Sequence, residues 1–414
     1  MPLRARAASL FVLLALAAPA KADGPLEFGA AIGTSWYDHT NVPNSYSGKL
    51  FRPWVRYEGP AGNWDVRGFA QERLQFYTGR TADSALGGTS RQWNEHIEGT
   101  ALRTWAEGQD LSFGGRFVHS HDAYDPGLGI ALPHGNVFTW SGEAGSHFEL
   151  YEAGLRARGK NYEADPRLVD ARSFGWTARI VPVRRPHDSA FAGITGSQLN
   201  VDEAVELITL RPGAGYRRRL DPLLTAEIEA GAALARFADG TDQALPMLAL
   251  GLMRDPNRGS ALGFELRARL EGDSLAAVYA EARYPIASGR MHLRVQSDAE
   301  AEGGYYSTAN RTTEFTWGAL DTLGRANILG IDGSYGITQP LRGEGPTTDL
   351  VRTTAYAIRR VQPWLDVRVA ASYVHEYARS FRPPVRRVRL EAELDLLASG
   401  FASTAFRTLT EARP

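Results

Sequence analysis

Val388-Arg389-Leu390-Glu391-Ala392-Glu393-Leu394-Asp395-Leu396 alternates apolar and charged residues without a break. Successive side chains of a β-strand point to opposite faces, so the stretch reads as a strand with one apolar and one charged face. Arg387 extends the charged face. The same period of two returns in four other places. Leu262, Phe264, Leu266, Ala268 and Leu270 alternate with Gly263, Glu265, Arg267 and Arg269. Met291, Leu293 and Val295 alternate with Arg290, His292, Arg294 and Gln296. Leu365, Val367, Val369 and Ala371 alternate with Asp366, Arg368, Ala370 and Ser372, and Phe51, Pro53, Val55 and Tyr57 with Arg52, Trp54, Arg56 and Glu58. Weaker copies run through 64–76, 111–118, 151–158, 172–180, 224–234 and 274–284. Turn clusters such as Asp239-Gly240 and Gly272-Asp273 separate them. Longer polar stretches, read as loops, cover 38–49, 78–91, 119–136, 183–200, 298–311 and 338–348.

Composition narrows the class. The 414 residues are 43% hydrophobic and 22% charged with a formal net charge of −1, which excludes a disordered chain and gives no basic excess for nucleic acid. Cysteine is absent, so there is no disulfide framework, thiolate metal site or lipidated N-terminal cysteine. The 43 glycines beside 9 Trp, 16 Tyr and 17 Phe suit a turn-rich β-protein.

The N-terminus reads as an export signal. Arg4 and Arg6 precede an uncharged apolar run from Ala7 to Ala20, and Ala20-Lys21-Ala22 supplies small residues for cleavage. The run is shorter than the ~20 residues of a spanning helix. We therefore expect a signal peptide at 1–22 and a single domain at 23–414. No later stretch is long enough to span as a helix. Ala244 to Met253, the most apolar, has the length of a tilted transmembrane strand.

Two all-β arrangements fit this alternation: a soluble sandwich or propeller, and a membrane barrel with apolar faces turned to lipid. The undivided run of hairpins is long for a sandwich of ~100 residues. No motif repeats at the ~40–50-residue period of propeller blades. Arg and Glu recur two residues apart on the polar faces, which suits a wet interior with cross-strand ion pairs. The expected fold is an all-β, closed antiparallel transmembrane barrel of about 18 strands, within a range of about 16–20.

In this pattern the chain resembles large porin-like barrels of the bacterial outer membrane. The resemblance covers 23–414 and lies in the pattern, not in a specific motif. It implies residence in the outer membrane, contact with its lipid and insertion by the barrel assembly machinery. Such barrels commonly end on an aromatic residue, whereas this chain ends Thr410-Glu411-Ala412-Arg413-Pro414. Either 401–409 or 387–396 closes the barrel.

Motifs with catalytic or metal-binding potential have blander alternatives. Gly272-Asp273-Ser274-Leu275 spells the nucleophile tetrapeptide of GDSL esterases, but no Asp-x-x-His follows and the position is a hairpin. His119-Ser120-His121-Asp122 with Asp125 could pair two histidines, yet it runs into a loop signal at Asp125-Pro126-Gly127. No enzyme activity, metal site or cofactor is expected. Most tryptophans fall near strand ends, where a barrel places interfacial aromatics. Trp54 shares a face with Arg52 and Arg56 and points inward.

The expected pore-lining set is Arg52, Trp54, Arg56, Arg67, Arg267, Arg269, Arg290, Arg294, Arg368, Arg387 and Arg389. Strand parity puts more arginines than carboxylates inward, which would favour acidic cargo. Porin-like barrels that export polysaccharide also have Arg-rich interiors with opposing carboxylates. That resemblance implies passage of an exopolysaccharide, with periplasmic and inner-membrane export proteins as partners. A general or anion-preferring diffusion porin, and a structural or assembly barrel with a filled lumen, are the alternatives.

Overall fold

Tight hairpins and alternating faces carry the chain through 20 antiparallel strands, each paired with its sequence neighbours, and the last pairs with the first. The computed structural model describes residues 26–397, apart from 40–45, 79–90, 107–108, 121–135, 164–168, 203, 255–261, 287–288, 301–309, 325, 342–346 and 379–384. The expected signal peptide lies outside the described residues.

The strands are β1 (Leu26–His39), β2 (Tyr46–Ala61), β3 (Trp64–Thr78), β4 (Arg91–Ala106), β5 (Gln109–Ser120), β6 (Asn136–His147) and β7 (Tyr151–Glu163). There follow β8 (Ala171–Arg184), β9 (Asp188–Val201), β10 (Ala204–Arg219), β11 (Leu224–Phe237), β12 (Asp242–Arg254), β13 (Gly263–Glu271) and β14 (Ser274–Ile286). The last six are β15 (Gly289–Glu300), β16 (Asn310–Leu323), β17 (Asn327–Pro340), β18 (Thr348–Gln362), β19 (Leu365–Ala378) and β20 (Val385–Leu397). At 9 to 16 residues each, they meet or exceed the ~9–11 residues that a tilted strand needs to cross a bilayer.

Closure falls to β20, in which Leu394 lies opposite Ile32 and Glu393 opposite Gly33. This settles the closing strand in favour of 387–396, and 401–409 lies outside the described residues. The strand count reaches the upper end of the expected range because a polar stretch read as a loop is a strand. Residues 183–200 contain β9, which pairs along its length with β8 and β10. Ladder hydrogen bonds do not need apolar side chains, and β9 alternates mostly small residues on both faces.

The two rims differ. One carries the turns 62–63, 148–150, 185–187, 220–223, 324–326 and 363–364, of at most four residues. Gly62 takes a left-handed φ of 64° in the first of these, a conformation that costs glycine nothing. At the opposite rim most consecutive strand ends lie further apart in sequence, as Thr78 from Arg91 and Ser120 from Asn136. Between β10 and β14 the connections at this rim are short, with 238–241 and Gly272-Asp273 making close hairpins.

Facing outward are Ile32, Phe51, Ile97, Leu155, Ile228, Leu250, Leu266, Leu293, Ile331 and Leu394, all exposed. An exposed apolar belt around a closed barrel is stable only against lipid. Trp36, Trp105, Trp176 and Trp364 are exposed on the same outer surface, as an aromatic girdle requires. One outward row departs from this chemistry. Glu72 lies opposite Glu95, and Glu95 opposite His119, whose ring stacks on Phe138 at 4.4 Å.

Candidate functional site

The lumen wall is assembled from the inward halves of all the strands, and its charges meet in clusters. The densest spans the closing seam. The inward face of β1 carries Gly29, Ala31, Gly33 and Ser35, so little side-chain bulk stands between β2 and β20. Across this floor Arg52 Nη2 reaches Glu393 Oε2 at 2.7 Å, and Trp54 Nε1 donates to Asp395 Oδ1 at 3.1 Å. A Cβ on Gly29 would come within 2.7 Å of the Trp54 ring, so the indole needs that glycine. Arg368 lies 3.4 Å from the same Glu393 oxygen, Arg389 lies 3.3 Å from Glu391, and Arg73 also pairs with Glu391.

A second cluster uses the same device. Arg179 on β8 binds Glu229 on β11 at 2.6 Å, with Gly193 and Gly213 among the residues beneath. Arg217 bridges Glu227 at 2.8 Å and Glu152 at 3.2 Å. Both guanidiniums lie over the Phe191 ring, at 4.5 and 5.8 Å from its centroid. Further round, Arg211 and Arg269 share Glu271 at 2.7 and 3.0 Å, and Arg269 also meets Asp298 at 3.3 Å. Arg267 pairs with Glu265 at 2.6 Å, Arg283 with Glu281 at 2.5 Å, and Arg294 with Glu314 at 3.9 Å.

The sequence-derived set therefore divides. Arg52, Trp54, Arg368 and Arg389 come together at the seam, and Arg56 pairs with Glu58 at 2.5 Å on the neighbouring wall. Arg267, Arg269 and Arg294 belong to the β13–β16 wall, where Arg290 also faces inward. Arg67 and Arg267 face the lumen with side chains 62% and 69% exposed. The side chain of Arg387 lies outside the described residues.

Sequence parity misses Arg184, Arg211, Arg217 and Arg219, because 183–200 reads as a loop and 204–219 lacks a strong alternation of apolar and charged residues. The alternation of Gly213, Gly215, Arg217 and Arg219 is the signal that could have found them. Parity also missed Glu98, Glu271, Asp298, Glu314 and Asp395, and these reduce the inward cationic excess expected from the sequence. The lumen is not polar throughout, either. Ile328, Tyr356, Ile358 and Ala370 form one inward apolar patch, and Leu199 and Leu207 pack with Ala235 and Phe237 in another.

The other motifs resolve simply. Gly272-Asp273 is the β13–β14 hairpin, with Gly272 at a left-handed φ of 65°, and the Ser274 hydroxyl donates to the Glu271 carbonyl at 3.0 Å. His119 and Ser120 end β5, and 121–125 lies outside the described residues. Among the described residues, no group of three or more His, Asp or Glu is placed to hold a metal ion.

A closed barrel that is apolar outside and charged inside has one physical setting. The chain is a closed 20-stranded β-barrel of the outer-membrane type. No protein-family model and no curated protein matches its sequence. Solved structures similar to this barrel include the outer membrane protein OpdK of Pseudomonas aeruginosa, at 11% identity and a TM-score of 0.38, covering 90% of this chain and 99% of that one. OccK9 (OpdG) of the same organism is 8% identical with a TM-score of 0.38, covering 91% of this chain and 100% of that one. The FrpB iron transporter of Neisseria meningitidis is 10% identical with a TM-score of 0.43, covering 89% and 82% respectively.

Proposed function

We propose that the barrel is a conduit for an exopolysaccharide crossing the outer membrane during secretion. The observation that carries this reading is the arrangement of charge in the lumen. Guanidiniums and carboxylates alternate around the wall in shared clusters, while Arg67 and Arg267 extend into water. A polyhydroxylated chain needs many donors and acceptors, each weak enough to release it as it moves on. Ion-paired arginines and glutamates offer both, with their net field largely cancelled.

An anion-preferring diffusion porin is the second reading. Arg156 and Arg290 favour it, since both face inward, are exposed and have no carboxylate within ion-pair distance among the described residues. Planar-bilayer recording on the purified barrel separates the readings. An export conduit conducts ions and is blocked by polysaccharide added to one side. A diffusion porin shows anion-selective current that polymer does not interrupt, and a filled structural barrel shows no current at all.

A further inference from the structure

Short turns of outer-membrane barrels face the periplasm, so the turn rim lies at the inner-leaflet interface. On the outward side of this rim Tyr216 stands on β10, in register with Ala190 on β9 and Ile228 on β11. Its side chain is exposed, as are Ile180, Val183, Leu220 and Ile228 on the same stretch of wall. The phenol donates to Asp188 Oδ1 at 2.6 Å. A tyrosine with its ring against lipid and its hydroxyl among charged groups marks the headgroup level.

Two guanidiniums gather at this hydroxyl. Arg218 follows Tyr216 on the outward face of β10, and Arg185 lies in the turn that joins β8 to β9. Both act electrostatically on the Tyr216 hydroxyl. The turn is fixed in place. The Arg185 N–H donates to the Asp188 carbonyl at 2.7 Å, and the Arg219 N–H donates to the His187 carbonyl at 2.7 Å. Among the described residues Asp188 is the one carboxylate that meets the pair, and at 3.8 Å from Arg218 it is beyond hydrogen-bond distance. Asp221 is occupied in its own turn, accepting from the Leu223 and Leu224 amides at 2.7 and 2.8 Å. Both arginines are exposed. Two permanent cations against one carboxylate leave a spare positive charge at the membrane surface.

We propose that Arg185, Arg218 and Tyr216 bind the phosphodiester headgroup of an anionic glycerophospholipid in the inner leaflet of the outer membrane. Each guanidinium presents a planar fork of donors that matches phosphate oxygens. The spare positive charge selects a headgroup of net negative charge over a zwitterionic one. What makes the phosphate that of a lipid is the face on which the group stands. It looks out of the barrel toward the bilayer, with exposed Ile180 and Ile228 beside it as surfaces for acyl chains. The site lies on the outer wall, so it stands or falls apart from the conduit reading.

Native mass spectrometry of the purified full-length barrel, released from detergent with equal amounts of phosphatidylglycerol and phosphatidylcholine, tests the site. About fivefold more bound phosphatidylglycerol is expected, the preference that one spare cation gives an anionic headgroup. Arg185→Gln with Arg218→Gln should bring the two lipids to parity. Arg254→Gln with Arg359→Gln is the control, because both side chains face outward near the same rim and the charge removed is equal. It should keep the phosphatidylglycerol excess. The heat-resistant form on gels reports whether each variant is a folded barrel. Equal binding of the two lipids by the unaltered protein overturns the proposal, whatever the variants do. So does an excess that survives in the Arg185 and Arg218 variant, or one that the control abolishes as fully. Displacement of the lipid by an equal concentration of inorganic phosphate would make the ligand a free anion and also refute the lipid.

Discussion

Arg52 on β2 and Glu393 on β20 form an ion pair at 2.7 Å although β1 lies between their strands. Neighbouring strands are ~4.8 Å apart, so the pair spans about 10 Å of wall. It does so over Ala31 and Gly33, the β1 residues in register with Arg52 and Glu393. The seam that turns the sheet into a barrel is therefore held by backbone hydrogen bonds and, above them, by side chains that skip a strand.

Removing the acid should cost more than removing the base. The Glu393 side chain is 1% exposed and serves both Arg52 and Arg368. Glu393→Ala leaves Arg52 and Arg368 only their longer contacts to Asp395 and Glu391, each at 3.8 Å, and breaking a buried pair in this way costs about 3–5 kcal/mol. Equilibrium unfolding in urea from detergent or lipid should show that loss. A change under 1 kcal/mol would mean that water in the lumen screens the cluster.

Gly33 should tolerate no side chain. A Cβ there would meet the Ala392 carbonyl oxygen and approach within 3.0 Å of the Glu393 Cγ. Gly33→Val should prevent the heat-resistant form or lower its melting temperature, whereas Ala30→Val, facing lipid on the same strand, should be neutral. Equal behaviour of the two variants on heated gels would remove the argument for a small-residue floor.

Parity on β13 separates lipid from water at adjacent positions. Leu266 is 46% exposed and Arg267 has a 69% exposed side chain, yet the first faces lipid beside Leu252 and Ala280 while the second pairs with Glu265. Leu266→Arg should cost about 2–4 kcal/mol if it lies near the midplane. Arg267→Ala should assemble normally. Equal assembly of the two variants would sink the assignment of faces.

The outward row of Glu72, Glu95 and His119 breaks the rule that the belt is apolar. Glu72 faces Glu95 there, Glu95 also lies 3.8 Å from His119, and Glu72 and His119 are buried; a carboxylate on the outward face is unfavourable, though less so than a guanidinium. Glu72→Leu should therefore stabilise the barrel by about 1 kcal/mol, measured as a higher urea midpoint. A lower midpoint would indicate that Glu72 has a partner beyond the described residues.

How much of this was legible follows from contrast. Strands such as 262–270 and 387–396 oppose leucines to charges, and their faces, pairing and closure read directly from the sequence. β9 offers Ser189, Gly193, Thr195 and Ser197 on one face against Ala190, Ala192, Ile194 and Gly196 on the other, so its period of two has little amplitude. The inward arginines were visible as residues, but not their partners. Parity gives a face, whereas Arg179 meeting Glu229 across Gly193 and Gly213 depends on register between strands far apart in sequence.

Arg290 and Arg294 offer the sharpest separation of transport from scaffolding. Both face the lumen from β15, but Arg294 lies only at the limit of contact with Glu314, at 3.9 Å, and Arg290 is exposed. Neither anchors a buried carboxylate as Arg52 does, so Arg290→Gln with Arg294→Gln should leave the heat-resistant barrel intact. A cross-strand pair as long as Arg294–Glu314 is worth about 0.2–1 kcal/mol, too little to decide folding. Their field acts on whatever passes. A guanidinium removed from the wall raises the barrier for anions and lowers it for cations. The double variant should show a reversal potential shifted toward cations in a salt gradient, and reduced polymer release from cells. An unchanged reversal potential and undiminished release from a correctly assembled variant would reduce these arginines to parts of the wall. The conduit reading would then depend on the seam and Phe191 clusters alone.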